Sequence, residues 1–187
     1  MNLHDTRNEY KQQLLDEKDL APSPFDQFGK WFNEALQVDI PDANAMTLAT
    51  ATQDGIVSAR IVLMKSFDEH GFCFFTNFES NKGKAIAENP NVALVFFWQP
   101  LERQVRIEGI VSKMSAHDAD EYFSNRPFAS QIGATASAQS FPIPNRTVLE
   151  KRFAELEAEY AGRVVPRPEH WGGYRVAPHT VEFWQGR

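Results

Sequence analysis

Apolar side chains follow two different periods along this chain, and the change of period divides it into elements. Phe25, Phe28, Trp31, Phe32, Ala35 and Leu36 recur at spacings of three and four. That is the stripe of an amphipathic helix, here predicted over 24–37. Ser23 suits the N-cap, Pro24 the first helical position and Asp26 the electropositive first turn. Upstream, residues 1–20 are polar with sparse apolar positions (Leu3, Tyr10, Leu14, Leu15, Leu20). They predict a weak helix or an arm that orders on something else, separated by Ala21-Pro-Ser-Pro24 from one domain over 21–187.

The middle of the chain reads with strand character. Segments 45–52 and 56–67 predict strands joined at Gln53-Asp-Gly55, a hairpin turn signal. Further strands are predicted at 72–77, 92–98, 103–113, 172–176 and 180–184, with helices at 80–89, 115–125, 129–138 and 146–160. Ser115 followed by Asp118 supplies a capping pair for the second of these helices. Strands in hairpin order, with helices at the ends and in one crossover, predict an α+β, mostly antiparallel barrel. Strict β-α-β alternation is absent, which argues against a doubly wound parallel sheet. Neither a G-x-G-x-x-G fingerprint nor a Walker loop is present.

Composition narrows the function. Lys+Arg is 19 against 25 Asp+Glu, a net charge of −6, which argues against a general nucleic-acid binder. Apolar residues are 42% and charged residues 24%, an ordinary globular balance. The single cysteine, Cys73, excludes an internal disulfide framework and alternates with aromatic neighbours as a core residue would. The longest apolar run, 92–98, falls far short of the roughly 20 residues that span a bilayer. The polar start, Met1-Asn-Leu-His-Asp-Thr-Arg7, lacks the apolar core of a signal peptide, so a soluble, cytoplasmic protein is expected. His4, His70, His117, His170 and His179 are scattered, so no metal site is expected. No serine sits in a G-x-S-x-G elbow.

Four segments carry candidate chemistry. Arg60 and Lys65 bracket an apolar strand at positions of opposite parity, so a bulge or an edge approach is needed for both to reach one anionic ligand; the alternative is a pair of rim charges. Phe74-Phe-Thr-Asn77 followed by Ser80-Asn-Lys-Gly-Lys84 places a strand end against a helix start, where free N–H groups and Lys82 and Lys84 suit a phosphate. Period two puts Gln104, Arg106 and Glu108 on one strand face, as a heterocycle contact or a surface ion-pair ladder. Tyr122, Arg126 and Ser130 combine hydroxyls and a guanidinium that can grip a phosphate, with Tyr122 and Arg126 four apart on one helix face.

Taken together, these stretches resemble the pyridoxamine 5′-phosphate oxidase family of flavin enzymes. The resemblance runs from Arg7-Asn-Glu-Tyr10 through Arg60-Ile-Val-Leu-Met-Lys65, Phe75-Thr-Asn77, Ser80-Asn-Lys82, Arg103-Gln-Val-Arg106, Tyr122-Phe-Ser-Asn-Arg-Pro127, Ser130-Gln-Ile-Gly133, Gln139-Ser140 and Trp171-Gly-Gly-Tyr-Arg175 to Val181-Glu-Phe-Trp-Gln-Gly186. It implies an FMN-binding split β-barrel and a homodimer with FMN in each of two clefts between subunits. One subunit would contact FMN through Arg60, Ile61, Val62, Leu63, Met64, Lys65, Phe75, Thr76, Lys82 and Gln104. Gln139, Ser140 and Trp184 would come from the other. Tyr122, Arg126 and Ser130 would hold the substrate phosphate, with Lys65 beside the substrate and Arg7 and Tyr10 on an arm covering the site. No residue is assigned as acid, base or nucleophile. The implied reaction oxidises pyridoxamine or pyridoxine 5′-phosphate to pyridoxal 5′-phosphate, with dioxygen as acceptor and hydrogen peroxide as by-product.

Two departures stand out. Asn81 occupies the place where the family commonly has Arg before the lysine of the helix-start motif, with Lys84 a candidate replacement. The family also continues past the position of Arg187 into an Arg-Leu-His-Asp-Arg tail. Either the sequence is cut short before that tail or the site lacks those residues; in the second case FMN binding could survive and turnover is the property at stake. Two rivals follow: a related flavin oxidase of phenazine-pathway type, and a non-catalytic binder of FMN or pyridoxal phosphate.

Overall fold

The computed structural model describes residues 14–187; the expectations for Arg7 and Tyr10 lie outside them. Helix α1 (Pro24–Leu36) starts as its sequence dictates: the Ser23 hydroxyl accepts from the Asp26 N–H at 3.1 Å, and Pro24 opens the first turn. Its apolar stripe buries Phe28, Trp31 and Ala35 against a seven-stranded antiparallel sheet.

The strands are β1 (Ala45–Ala51), β2 (Val57–Leu63), β3 (Ser66–Asp68), β4 (Gly71–Asn77), β5 (Asn91–Trp98), β6 (Arg103–Lys113) and β7 (Trp171–Gln185). They lie in the order β2-β1-β5-β6-β7-β4-β3. The β1–β2 hairpin turns where expected, with Gly55 at φ +79°.

The segment 56–67, expected as one strand, is two. Met64 N–H donates to Asn44 O at 2.9 Å, and Lys65 N–H donates to Cys73 O at 2.8 Å. The chain therefore leaves β1 and joins β4 within one residue. Because β2 and β3 are the two edges of the sheet, this switch brings the edges together and curls the sheet into a split barrel.

The opposite error occurs at β7, expected as two strands around Pro178. A bulge between Glu108 and Gly109 absorbs the proline, and Gly109 pairs with Pro178. A Cβ on Gly109 would lie 2.4 Å from Ala177 O, so the ladder continues only because that residue is glycine.

The helices α2 (Asn81–Glu88), α3 (Ala116–Ser124), α4 (Phe128–Ala136) and α5 (Arg146–Glu159) fall near their predicted places. Two apolar cores result. The larger fills the barrel under α1, with Phe28, Phe72, Phe74, Phe96 and Trp98 in edge and tilted ring contacts. The smaller joins α3, α4 and α5 to the start of β7 through Phe123, Ile132, Leu156, Val165 and Trp171. Cys73 is buried in β4. Among the described residues no helix is long and apolar enough to cross a membrane.

Tyr174 gives this packing a pH signature. Buried beside Phe74 and Phe78, its phenol is pushed up to about 12 by desolvation. From pH 10 to 12 the unfolded chain releases this proton while the folded chain keeps it, so stability falls as pH rises above 10. The expected loss is of order 2 kcal/mol. In denaturant titrations Tyr174→Phe should flatten this alkaline decline; equal slopes in both proteins would remove Tyr174 as its source.

Candidate active-site cleft

A cleft of about 760 Å³ opens between the two cores. Its walls come from the end of β2 and Lys65, from β4, from the start of α2, from the α3–α4 turn, and from the loop after α4 with the first residue of β7.

One end is built on the β4–α2 junction. Ser80 caps α2: its hydroxyl accepts from Gly83 N–H at 3.4 Å and donates to Asn77 O at 2.6 Å. Gly83 is required here, since a Cβ would stand 2.1 Å from Phe78 O. Lys82 Nζ donates to Gln139 Oε1 at 2.7 Å and to Ser80 Oγ at 3.3 Å, and Thr76 Oγ1 donates to the same Gln139 oxygen at 3.4 Å. Arg60 stands behind this group, held by Leu48 O at 3.1 Å, by Thr50 Oγ1 at 2.9 Å and by Ser58. Burial, and then the positive charge of Arg60, hold Lys82 below the usual lysine range; burial alone lowers Arg60. Among the described residues neither cation pairs with a carboxylate, so the end is electropositive and suited to a phosphate.

The other end centres on Arg126. The helix α3 stops at Ser124, so Arg126 does not share a helix face with Tyr122 as expected; it enters from the turn that follows. Buried Gln131 fixes that turn, donating to Arg126 O at 2.7 Å and to Ser124 O at 3.1 Å. The guanidinium lies over the Trp171 ring at 4.6 Å and near Phe123 at 5.6 Å. Its buried Nη1 has no hydrogen-bond partner among the described residues. A buried donor left unpaired costs free energy that an anionic ligand would recover. Tyr122 and Ser130 line the cleft beside it. Between the two ends runs a wall of near-parallel rings: Phe75 and Tyr122 at 3.9 Å, Phe75 and Trp171 at 5.5 Å, Tyr122 and Trp171 at 6.1 Å.

Comparison with known proteins then decides the family. The family model described as pyridoxamine 5′-phosphate oxidase matches residues 32–160. The chain belongs to the pyridoxamine 5′-phosphate oxidase family. A second model, described as the pyridoxine 5′-phosphate oxidase C-terminal dimerisation region, matches residues 171–187. A relative from Cyanothece sp. named pyridoxine/pyridoxamine 5′-phosphate oxidase is 54% identical over 187 residues, covering 100% of this chain and 88% of its own. One of the same name from Bordetella petrii is 56% identical at the same coverage. The crystal structure of PhzG from Burkholderia lata in complex with tetrahydrophenazine-1-carboxylic acid superposes with a TM-score of 0.89 at 28% identity, over 96% of this chain and 88% of that one. A pyridoxamine 5′-phosphate oxidase-related, FMN binding protein from Nostoc punctiforme shares the fold, with a TM-score of 0.70 at 14% identity and coverage of 89% and 87%.

Within this family fold, eleven residues named from sequence meet in the cleft: Ile61, Val62, Leu63, Lys65, Phe75, Thr76, Lys82, Tyr122, Arg126, Ser130 and Gln139. Beyond the β2–β3 break Lys65 lines the cleft, whereas Arg60 lies outside its lining, hydrogen-bonded to Leu48 O, Thr50 and Ser58. Met64 does not line it, because its side chain packs in the barrel core. Gln139, expected from the other subunit, hydrogen-bonds Lys82 of its own chain, because the loop after α4 folds back over the α2 start. The neighbouring Ser140 is exposed and adopts φ +72°. Gln104, grouped from the resemblance with Arg60, lies outside the cleft lining and pairs instead with Trp184 across β6 and β7. The Arg106 ladder is realised as ion pairs to Glu108 and Glu182, both at 3.1 Å. Lys84 caps the Phe141 ring at 4.4 Å and stays out of the cleft lining. Sequence reasoning missed Trp171 and Gln131 as site-builders. Two glycines after Trp171 were an available signal: a Cβ on Gly172 or Gly173 would strike Phe78 or Phe75.

Proposed function

We propose that this chain oxidises pyridoxamine or pyridoxine 5′-phosphate at C4′ to pyridoxal 5′-phosphate in the cytoplasm, with FMN as cofactor and dioxygen as acceptor. The observation that carries this reading is the buried, unpartnered Nη1 of Arg126, beside the hydroxyls of Tyr122 and Ser130 and across an aromatic wall from a second cationic end. Two phosphate-sized anchors at opposite ends of one cleft suit a phosphorylated cofactor and a phosphorylated substrate lying together.

On this reading Arg60, Lys82, Thr76 and Gln139 hold the FMN phosphate end, and Arg126, Tyr122 and Ser130 hold the substrate phosphate. Lys65 presents a cation toward the substrate ring. Phe75 and Tyr122 supply a flat wall that orients aromatic rings, with Trp171 stacked beside them under Arg126. When bound, FMN would supply the redox chemistry, a two-electron oxidation at C4′ with dioxygen as final acceptor and hydrogen peroxide as product; with pyridoxamine 5′-phosphate, water would also release the C4′ nitrogen as ammonia. A homodimer is part of the reading. The match over 171–187 to a dimerisation region supports it, as do Ile61, Phe97 and Ile110, each more than half exposed. Gln104 and Trp184 would then serve a second copy's cleft.

A second reading, a phenazine-type flavin oxidase, is favoured by the likeness to PhzG. The test is a visible spectrum of the purified protein followed by oxygen uptake. The expected result is a flavin absorption band, and oxygen consumption with peroxide release on adding pyridoxamine 5′-phosphate. Uptake only with a tetrahydrophenazine carboxylic acid supports the second reading. A yellow protein inert to both, or a colourless one that takes up no FMN, overturns the catalytic assignment.

A further inference from the structure

We propose that Trp171 is a positioning residue for the substrate phosphate, acting through Arg126; this rests on the reading of Arg126 as the phosphate anchor. The plain alternative is that Trp171 only fills the smaller core, where it is 6% exposed.

Three observations favour the positioning role. The Arg126 guanidinium lies over the indole at 4.6 Å while its Nη1 stays buried and unpartnered. A long, flexible side chain is thus held ready before any anion arrives, by a contact that leaves N–H groups free to donate. The backbone that carries the indole is also anchored: Arg167 Nη1 donates to the Trp171 carbonyl oxygen at 2.6 Å, and Arg167 Nε donates to Asp120 of α3 at 2.6 Å. Finally, its ring is near-parallel to Tyr122 at 6.1 Å, and Phe75 stacks on both, so the indole belongs to the same ring stack as the neighbouring phosphate-facing hydroxyl. Gln131 fixes the Arg126 backbone, and Trp171 fixes the charged end. A guanidinium without that surface regains rotamer freedom, which binding must then remove.

The test compares KM and kcat for pyridoxamine 5′-phosphate on FMN-loaded protein, for Trp171→Leu, Arg126→Ala and the double variant. Trp171→Leu should raise KM about five- to twenty-fold with FMN affinity near wild type. In the Arg126→Ala background the same change should add little, because the group it positions is gone. Trp171→Phe, which keeps an aromatic face and much of the core volume, should raise KM only about two- to three-fold. It carries the same cycle if the Leu variant does not accumulate. A role in core packing alone would lower the yield of folded protein and leave KM unchanged, which overturns the proposal. Equal, multiplicative effects in both backgrounds overturn it as well. If Arg126→Ala itself leaves KM unchanged, the anchor reading falls first and this inference falls with it.

Discussion

Arg126→Ala should raise KM for pyridoxamine 5′-phosphate by about 10- to 100-fold while the protein keeps its FMN. A charge-assisted hydrogen bond to a phosphate contributes roughly 1.5–3 kcal/mol, and each 1.4 kcal/mol is a factor of ten in affinity. Arg126 sits at the end of the cleft away from Lys82 and Gln139, so cofactor affinity should stay within about two- to three-fold of wild type. Folding should suffer little. In the absence of ligand the guanidinium is partly desolvated without a carboxylate partner among the described residues, and burial holds it below the usual arginine range. Removing it relieves that cost while losing the contacts with Trp171 and Phe123. Steady-state oxygen uptake on flavin-loaded enzyme checks the first number, and flavin fluorescence titration checks the second. An unchanged KM would take Arg126 out of the anchor. A parallel collapse of FMN binding would mean that the two ends of the cleft are not separate.

The parts of this fold visible in the sequence are those decided locally. Ser23, Ser80 and Ser115 mark helix starts because each hydroxyl satisfies an N–H three residues on, and all three do so. The Phe28–Trp31–Ala35 stripe, the alternation in β6 and the Gly55 turn are likewise fixed by near neighbours. Two misread features are settled by distant residues. The break after Leu63 depends on Asn44 and Cys73. The continuity of β7 past Pro178 depends on Gly109 in another strand. The placement of Arg126 is fixed nearer by, through Gln131 five residues on. The site was visible as a set of residue types suited to phosphate.

Lys82→Met should make the cofactor-free protein more stable and weaken its hold on FMN by about 10- to 100-fold. Both effects have one cause. Lys82 and Arg60 stand near one another, partly desolvated, without a carboxylate between them among the described residues; burial lowers both, and the charge of Arg60 lowers Lys82 further. Without a bound anion this arrangement opposes folding: the unfolded lysine holds its proton to a higher pH than the folded one. Stability contributed at this position therefore rises as pH climbs through the lowered pKa toward 10.5. Methionine keeps much of the apolar stem and removes the repulsion, so the melting temperature of FMN-free protein should rise. A phosphate reverses the balance by supplying the missing negative charge, and losing one charge-assisted contact to it costs roughly 1.5–3 kcal/mol. The pH dependence of binding should follow the same sign: wild-type FMN affinity falls as pH rises through the lowered pKa, and Lys82→Met loses that component. Calorimetric melts of FMN-free protein and flavin titrations across alkaline pH test both halves. A lower melting temperature would show that the hydrogen bonds from Lys82 to Gln139 and Ser80 outweigh the repulsion. FMN affinity unchanged by the substitution would remove Lys82 from the phosphate end of the cleft.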